Sequence, residues 1–278
     1  SATTFTNSEM RIVTELATDL SRRGIEGPCR GLPFAKRWNL RNHFRDKRVP
    51  AEFYGLTREQ TGLFLNRIYA CDGSLDFHKQ VVEITTASEK FIDDLQFLLL
   101  RLEVHARKLL TWRFYKNKKT GRQCKFKAWR LTVSSKSELE RFFSAVGPIF
   151  TKEEASRALI DVVAGAVPDA NLDIVPVGYE ELVEIQSELG SRGEGLLTDF
   201  GLVRGSYMSR SRFERFCSER HYTGKYVWFA KADLFWVPVS KIKARGMRPV
   251  YDLNVPGPAN FIANSVVIHN SFLASIGV

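Results

Sequence analysis

The sequence predicts an α+β region followed by a C-terminal all-β region, and three observations carry that reading. Up to residue 146, capped stretches with helical spacing alternate with short runs of β-branched and aromatic residues. A glycine-rich stretch, Gly190-Ser191-Arg192-Gly193-Glu194-Gly195, forms the best hinge in the chain. From Leu234 onward the pattern turns to alternation and β-branched residues, as a set of strands requires.

Taken in order, residues 7–24 read as a short helix, capped by Asn7 or Ser8, with Ile12, Val13, Leu16 and Leu20 as its apolar stripe and Gly24 as its end. Lys36, Arg37, Arg41, Arg45, Lys47 and Arg48 then lead to a break at Val49-Pro50. Thr57 caps a second helix from Arg58 to about Ala70, closed by Asp72-Gly73. A strand over residues 81–86 follows, and Ser88 caps a helix over 89–102. Two or three basic strands fill 106–133 around a Lys119-Thr120-Gly121-Arg122 turn, and a helix over 137–146 closes the unit. Helices are expected at 151–166, 179–189 and 209–219, with an extended link at 171–176. Strands are expected at 235–239, 249–255 and 260–268.

Composition narrows the class. Of 278 residues, 44% are hydrophobic and 12% aromatic, enough to build packed cores. No apolar run approaches the roughly 20 residues needed to span a bilayer, so no membrane partner is expected. Cys29, Cys71, Cys124 and Cys217 lack metal-ligand spacing and read as reduced thiols of a cytoplasmic protein. The net charge of +10 is localised: residues 104–130 hold ten basic residues and no acid. They are Arg107, Lys108, Arg113, Lys116, Lys118, Lys119, Arg122, Lys125, Lys127 and Arg130, interleaved with Trp112, Phe114, Tyr115, Phe126 and Trp129. That composition suits strands that present cations to the phosphates of nucleic acid, the alternative being a solvated basic hairpin.

The last residues carry a different chemistry. The apolar run Val266-Val267-Ile268 ends in His269-Asn270, and a hydroxyl nucleophile, Ser271, follows. The Asn270 carboxamide can attack its own main-chain carbonyl, close a succinimide and break the bond to Ser271. His269 can protonate the leaving amine or polarise the carbonyl. The Ser271 hydroxyl can first carry an acyl chain as an ester. The stretch Val250-Tyr251-Asp252-Leu253-Asn254-Val255-Pro256-Gly257-Pro258-Ala259-Asn260-Phe261, continued through His269-Asn270-Ser271, resembles the C-terminal splicing blocks of inteins, especially those interrupting replicative helicases and phage packaging ATPases. The resemblance implies autocatalytic protein splicing without a cofactor, with Asp252 matching the block's aspartate. Where the family usually has a histidine that assists asparagine cyclisation, this chain has Ala259.

A second constellation lies upstream. Leu65-Asn66-Arg67-Ile68-Tyr69-Ala70-Cys71-Asp72-Gly73 resembles the second signature helix of the LAGLIDADG homing endonucleases. In that family two such helices each end in an acid that binds a divalent metal for phosphodiester hydrolysis, so the resemblance implies Mg²⁺ held by Asp72. It also implies a ββ-saddle that grips double-stranded DNA, with Lys125 or Lys127 as the lysine that polarises the cleavage pocket or as a phosphate contact. Gly73 would release the chain after the helix as a C′ residue does.

Neither a first acid-bearing helix nor the intein's N-terminal nucleophile and Thr-x-x-His block is recognisable. The resemblance therefore implies the C-terminal fragment of a split intein whose partner, an N-terminal intein fragment, supplies them. The expected domains are a partial LAGLIDADG endonuclease (1–150), a helical DNA-binding or linker region (151–232), the C-terminal part of an all-β Hint-type splicing domain (233–270) and a C-extein (271–278). The Ser271-Phe272-Leu273 start of the extein resembles the end of a phosphate-binding loop, implying a P-loop ATPase host such as a helicase or terminase. Two further readings use the same residues: mainly an Mg²⁺-dependent homing endonuclease, or a degenerate module that binds DNA without cutting it.

Overall fold

The computed structural model describes Thr18, Arg22 and residues 44–116, 120–166, 173–190, 195–232, 234–237, 239, 241–249, 251, 253, 255, 257, 260–263 and 266–269. The helix expected over 7–24, the hinge core at 191–194, and Lys118, Lys119, Asp252, Ala259, Asn270 and Ser271 lie outside the described residues. The chain divides into two compact units, with the division after Asp169.

In the first unit a 3-10 turn, Ala51–Gly55, precedes helix α1, Arg58–Asp72. Thr57 starts α1 through a capping box: its hydroxyl accepts from the Gln60 amide at 3.3 Å while Gln60 Oε1 accepts from the Thr57 amide at 3.0 Å. Strands β1, Gly73–Asp76, and β2, Val81–Thr86, follow. Helix α2, Glu89–Leu100, is capped by Ser88, whose hydroxyl accepts from the Phe91 amide. Strands β3, Arg107–Lys116, and β4, Gln123–Ser134, form a long hairpin. Helices α3, Lys136–Val146, and α4, Glu153–Ala164, complete the unit.

The four strands make one antiparallel sheet in the order β1-β2-β4-β3. One face is covered by helices, because Val82, Ile84, Leu131 and Val133 alternate inward and share a core with Leu65 and Tyr69 of α1, Ile92, Leu95 and Leu99 of α2, Phe142 of α3 and Leu159 of α4. At roughly 25 cal/mol per Å² of apolar surface removed from water, this contact is the main stabilising term of the unit. Asp94 of α2, itself buried, ties down the incoming segment by accepting from the Arg48 guanidinium at 2.9 Å and from the Val49 amide at 2.9 Å.

The second unit has its own core. Strand β5, Ile174–Gly178, leads into helix α5, Tyr179–Leu189; a short helix α6, Leu196–Phe200, strand β6, Tyr207–Ser209, helix α7, Arg210–Glu219, and a short helix α8, Val227–Lys231, follow. Val175, Val177, Leu182, Ile185, Met208, Phe213 and Phe216 are buried together. Arg210 closes the unit. Its guanidinium donates to the Asp173 carboxylate at 2.8 Å and to the carbonyls of Phe229, Ala230 and Ala232 at 2.8, 3.1 and 2.8 Å. The start of the unit and the end of α8 are thus tied to one side chain. Between residues 170 and 232 there are nine acids and eight bases, so this stretch lacks the cationic excess of the β3–β4 hairpin.

Beyond α8 the structure departs from the expectation. Strands were expected at 235–239 and 249–255, yet none of the described residues there is in a strand. Val237, Val239, Ile242, Met247 and Tyr251 are exposed, with Met247 fully so. Alternation alone does not make a strand, because its amides and carbonyls need a neighbouring strand to form a ladder. The strand expected over 260–268 is a hairpin, β7, Asn260–Ala263, against β8, Val266–His269. Among the described residues no helix is long and apolar enough to cross a membrane.

Candidate functional site

Asp72 is the last residue of α1 and is solvent-exposed. The helix that carries it is fixed by its neighbours. Tyr69 is fully buried, its ring 5.2 Å edge-on to Phe142. The Asn66 carboxamide donates to the carbonyls of Val146 and Pro148 at 3.0 and 2.8 Å and accepts from the Phe150 amide at 3.0 Å. Gly62 abuts α3 so closely that a Cβ there would lie 2.2 Å from the Ala145 carbonyl oxygen. These contacts leave α1 little freedom to turn, so the direction of Asp72 is set by the packing of the unit.

Gly73 serves a different purpose from the one expected. It does not adopt the left-handed conformation of a C′ glycine; its φ is −83° and its ψ 158°, and it starts β1 directly. Glycine is needed because a Cβ would sit 2.6 Å from the Tyr69 carbonyl oxygen and 2.7 Å from its ring.

Sequence reading missed Lys152, which follows Thr151, a non-glycine residue at φ 65°. The Lys152 ammonium donates to the carbonyls of Tyr69 at 2.8 Å and Gly73 at 2.6 Å, bracketing Asp72. A cation at a helix C-terminus offsets the partial negative charge there, which otherwise opposes a carboxylate at that position. Burial lowers the Lys152 pKa, while Cys71 and Asp72 pull it back up. The Cys71 pKa is pushed up by burial and by the Asp72 charge. No signal local to Lys152 in the sequence announces this, since its partners lie 83 and 79 positions away.

The ladder separates Lys125 and Lys127 from Asp72. Gly73 aligns with Ile84, which aligns with Leu131. Lys127 is thus two strands across and four residues along, roughly 16 Å away at 4.8 Å per strand and 3.4 Å per residue. A role for either lysine in polarising the Asp72 pocket within this half-site does not fit that spacing. Among the described residues no cluster of three or more His, Cys, Asp or Glu could hold a metal alone.

The basic residues do not form one cationic face, because antiparallel register assigns them to two. Arg107, Arg113 and Arg130 share the face opposite the helices, with Glu83, Thr85, Tyr115 and Phe126. Lys108, Lys116, Lys125 and Lys127 share the helix-side face with Leu110, Trp112, Phe114 and Trp129. Among the described basic residues, Lys108 bonds Glu89 at 2.9 Å and Asp93 at 2.5 Å, and Arg130 lies 3.3 Å from Glu83. Arg113 donates to Thr85 Oγ1 at 3.2 Å. Arg122 is exposed in the turn between the strands. Because β2 pairs with β4 only from Trp129 to Ser134, residues 123–128 have β3 as their sole strand neighbour among the described residues, and there the hairpin is a two-stranded ribbon.

At the other end of the sequence, the β7–β8 register pairs Asn260 with His269, Phe261 with Ile268, Ile262 with Val267 and Ala263 with Val266. In the sequence Ala259 precedes Asn260 and Asn270 follows His269.

Residues 59–147 match the family model of the LAGLIDADG-like domain. Over 81% of its length the chain is 30% identical to a replicative DNA helicase DnaB of Rhodothermus marinus, covering 24% of that protein. Over 92% of its length it is 26% identical to a replicative DNA helicase DnaB of Nostoc, covering 30%. Over 86% of its length it is 24% identical to a glutamine–fructose-6-phosphate aminotransferase of Methanocaldococcus jannaschii, covering 21%. The chain thus spans less than a third of each of these relatives.

Proposed function

We propose that this chain performs the C-terminal steps of protein splicing and carries, ahead of its splicing segment, a LAGLIDADG-type domain that binds and cuts DNA. The observation that carries the reading is the β7–β8 register, which sets the Asn260-Phe261 start of the splicing block against His269, next to Asn270. The relatives support it: a helicase and an aminotransferase share no chemistry by name, yet most of this chain matches a minor part of each, as an inserted element would.

In the proposed reaction an acyl chain first resides on the Ser271 hydroxyl as an ester. The Asn270 side-chain nitrogen then attacks the Asn270 carbonyl carbon, the C–N bond to Ser271 breaks, and the Ser271 amine leaves with a proton supplied by His269. The freed amine attacks the ester and makes the ligated peptide bond. Asp252 supports these steps. No cofactor enters them. An N-terminal intein fragment provides the first nucleophile and the remaining strands of an all-β Hint-type domain, in which β7–β8 forms one hairpin. The host protein is an ATPase of the helicase or terminase kind; two relatives are named replicative DNA helicases.

For the nuclease, Asp72 would hold Mg²⁺, which supplies positive charge for phosphodiester hydrolysis, with water and phosphate completing its ligands. Lys152 keeps the end of α1 in register with β1, so the carboxylate stays directed outward. Cleavage requires a second acid-bearing helix, so a half-site such as this one binds duplex DNA and cuts poorly unless that helix is provided. Arg113 and Arg107 on the open face and Lys116 and Arg122 near the turn are the proposed duplex contacts. The test is duplex binding against salt: each phosphate contact steepens the fall of affinity with salt by about one log unit per log unit. Absent or salt-insensitive binding removes the DNA half of the proposal and leaves the splicing half standing.

A further inference from the structure

The reverse face of the two-stranded ribbon has a composition of its own. Trp112 and Phe114 stand two apart on β3, 45% and 59% exposed, on the face away from Arg113. Each has a lysine directly across the ladder: Trp112 pairs with Lys127 and Phe114 with Lys125. The Lys125 ammonium lies 4.3 Å from the Trp112 ring centre and 5.7 Å from that of Phe114. Leu110, 49% exposed, continues the apolar row, and Phe114 and Lys116 line a shallow cleft with Tyr115, Gly121 and Gln123. Toward the sheet the row ends where Lys108 is neutralised by Glu89 and Asp93.

We infer that this Trp112–Phe114–Lys125–Lys127 face is a binding platform for single-stranded nucleic acid, separate from the open face proposed for duplex DNA. Three arguments select that ligand. Residues two apart on a strand project side chains roughly 7 Å apart, which suits the splayed bases of an extended single strand better than the closer stack of a duplex. Every base has a π-face, so two exposed rings stack without reading sequence, and the paired lysines meet the phosphates between them. In a duplex the base faces are covered by their neighbours, leaving exposed rings nothing to stack on. On binding, Lys125 exchanges its ring contact for a phosphate while a base takes its place over Trp112.

The inference rests on the ribbon being a DNA-contacting element, and the experiment separates the two ideas. The full chain is titrated into labelled oligo-dT of fifteen nucleotides and, separately, into a mixed-sequence duplex, with fluorescence anisotropy as the readout. Trp112→Ala/Phe114→Ala and Lys125→Ala/Lys127→Ala are each expected to weaken oligo-dT binding roughly ten-fold or more, while Arg113→Ala changes it less than about two-fold. The residues are exposed, so unchanged circular dichroism and urea midpoints should accompany both double variants. If the aromatic pair leaves oligo-dT binding intact, or polyglutamate displaces the oligonucleotide at equal charge, stacking is absent and the inference falls. If oligo-dT binding behaves as expected while the duplex does not bind, the inference holds and the duplex reading falls.

Discussion

The Lys152 ammonium sits 2.6 Å from the carbonyl oxygen of Gly73, the residue that follows the candidate catalytic acid. One side chain thereby joins the end of α1 and the start of β1 to the segment entering α4. Replacing Lys152 by Met strands two carbonyls, and hydrogen bonds to charged groups contribute about 1.5–3 kcal/mol each before solvent exposure reduces them. Urea unfolding should report a loss of roughly 1–3 kcal/mol, with Lys152→Arg recovering part of it. A midpoint unchanged by the methionine would show that the bonds contribute nothing.

Asn66 lies inside the signature helix but points to structure. Its carboxamide serves two carbonyls and one amide, at the end of α3 and in the loop after it. Asn66→Ala leaves those groups without their partner and is expected to cost about 2–4 kcal/mol, read by urea unfolding of the full chain.

Gly73 offers a test of steric rather than conformational demand. Its φ of −83° suits any residue, so only the close approach to Tyr69 forbids a side chain. Gly73→Ala should destabilise by about 1–3 kcal/mol through overpacking. By contrast Gly121, at φ 70° with open space around it, should lose only about 1 kcal/mol on conversion to alanine. Equal losses at the two positions would contradict the distinction.

The Tyr54 phenol is pushed up to about 12 by burial and by its hydrogen bond to Asp94. Because the folded state holds the phenolic proton more tightly than the unfolded chain, the stability it contributes is complete below pH 10 and is lost as pH rises toward about 12. Urea midpoints measured at pH 9, 10 and 11 should therefore fall, and Tyr54→Phe should flatten that slope. An identical slope in the variant would assign the alkaline loss to other groups.

Arg210 gathers Asp173 and three carbonyls from the end of α8. Arg210→Met should cost the second unit roughly 2–4 kcal/mol and expose the chain after Ala232 to limited proteolysis. Protection from proteolysis equal to that of the wild type would show that the tie is dispensable.

Much of the fold was legible because its signals are local. Thr57 with Gln60 and Ser88 with Phe91 are caps within one turn, and α5 follows from spacing alone, with Tyr179 and Leu189 as its ends. What escaped was long-range. The partners of Lys152, Asn66 and Arg210 are set by chain segments far away in sequence, and no periodicity encodes them. The division of the basic residues into two faces needed the register, since a run of cations reads as one stripe until alternate side chains are assigned to opposite sides. The described residues of 235–239 and 249–255 form no strand for the converse reason: their alternation was real, but strand formation depends on a neighbour that alternation cannot supply.

Intact-mass measurement of the full chain, after mixing with a polypeptide bearing an N-terminal splicing block, tests the central claim most directly. The account expects this chain to lose residues 271–278 and to end in a succinimide at Asn270, with the tail recovered in a ligated product and Asn270→Ala retaining it. Ala259→His, which restores the family's usual residue just before Asn260, should speed that loss. A mixture in which the bond between Asn270 and Ser271 stays whole, with no cyclic imide formed, would contradict the account.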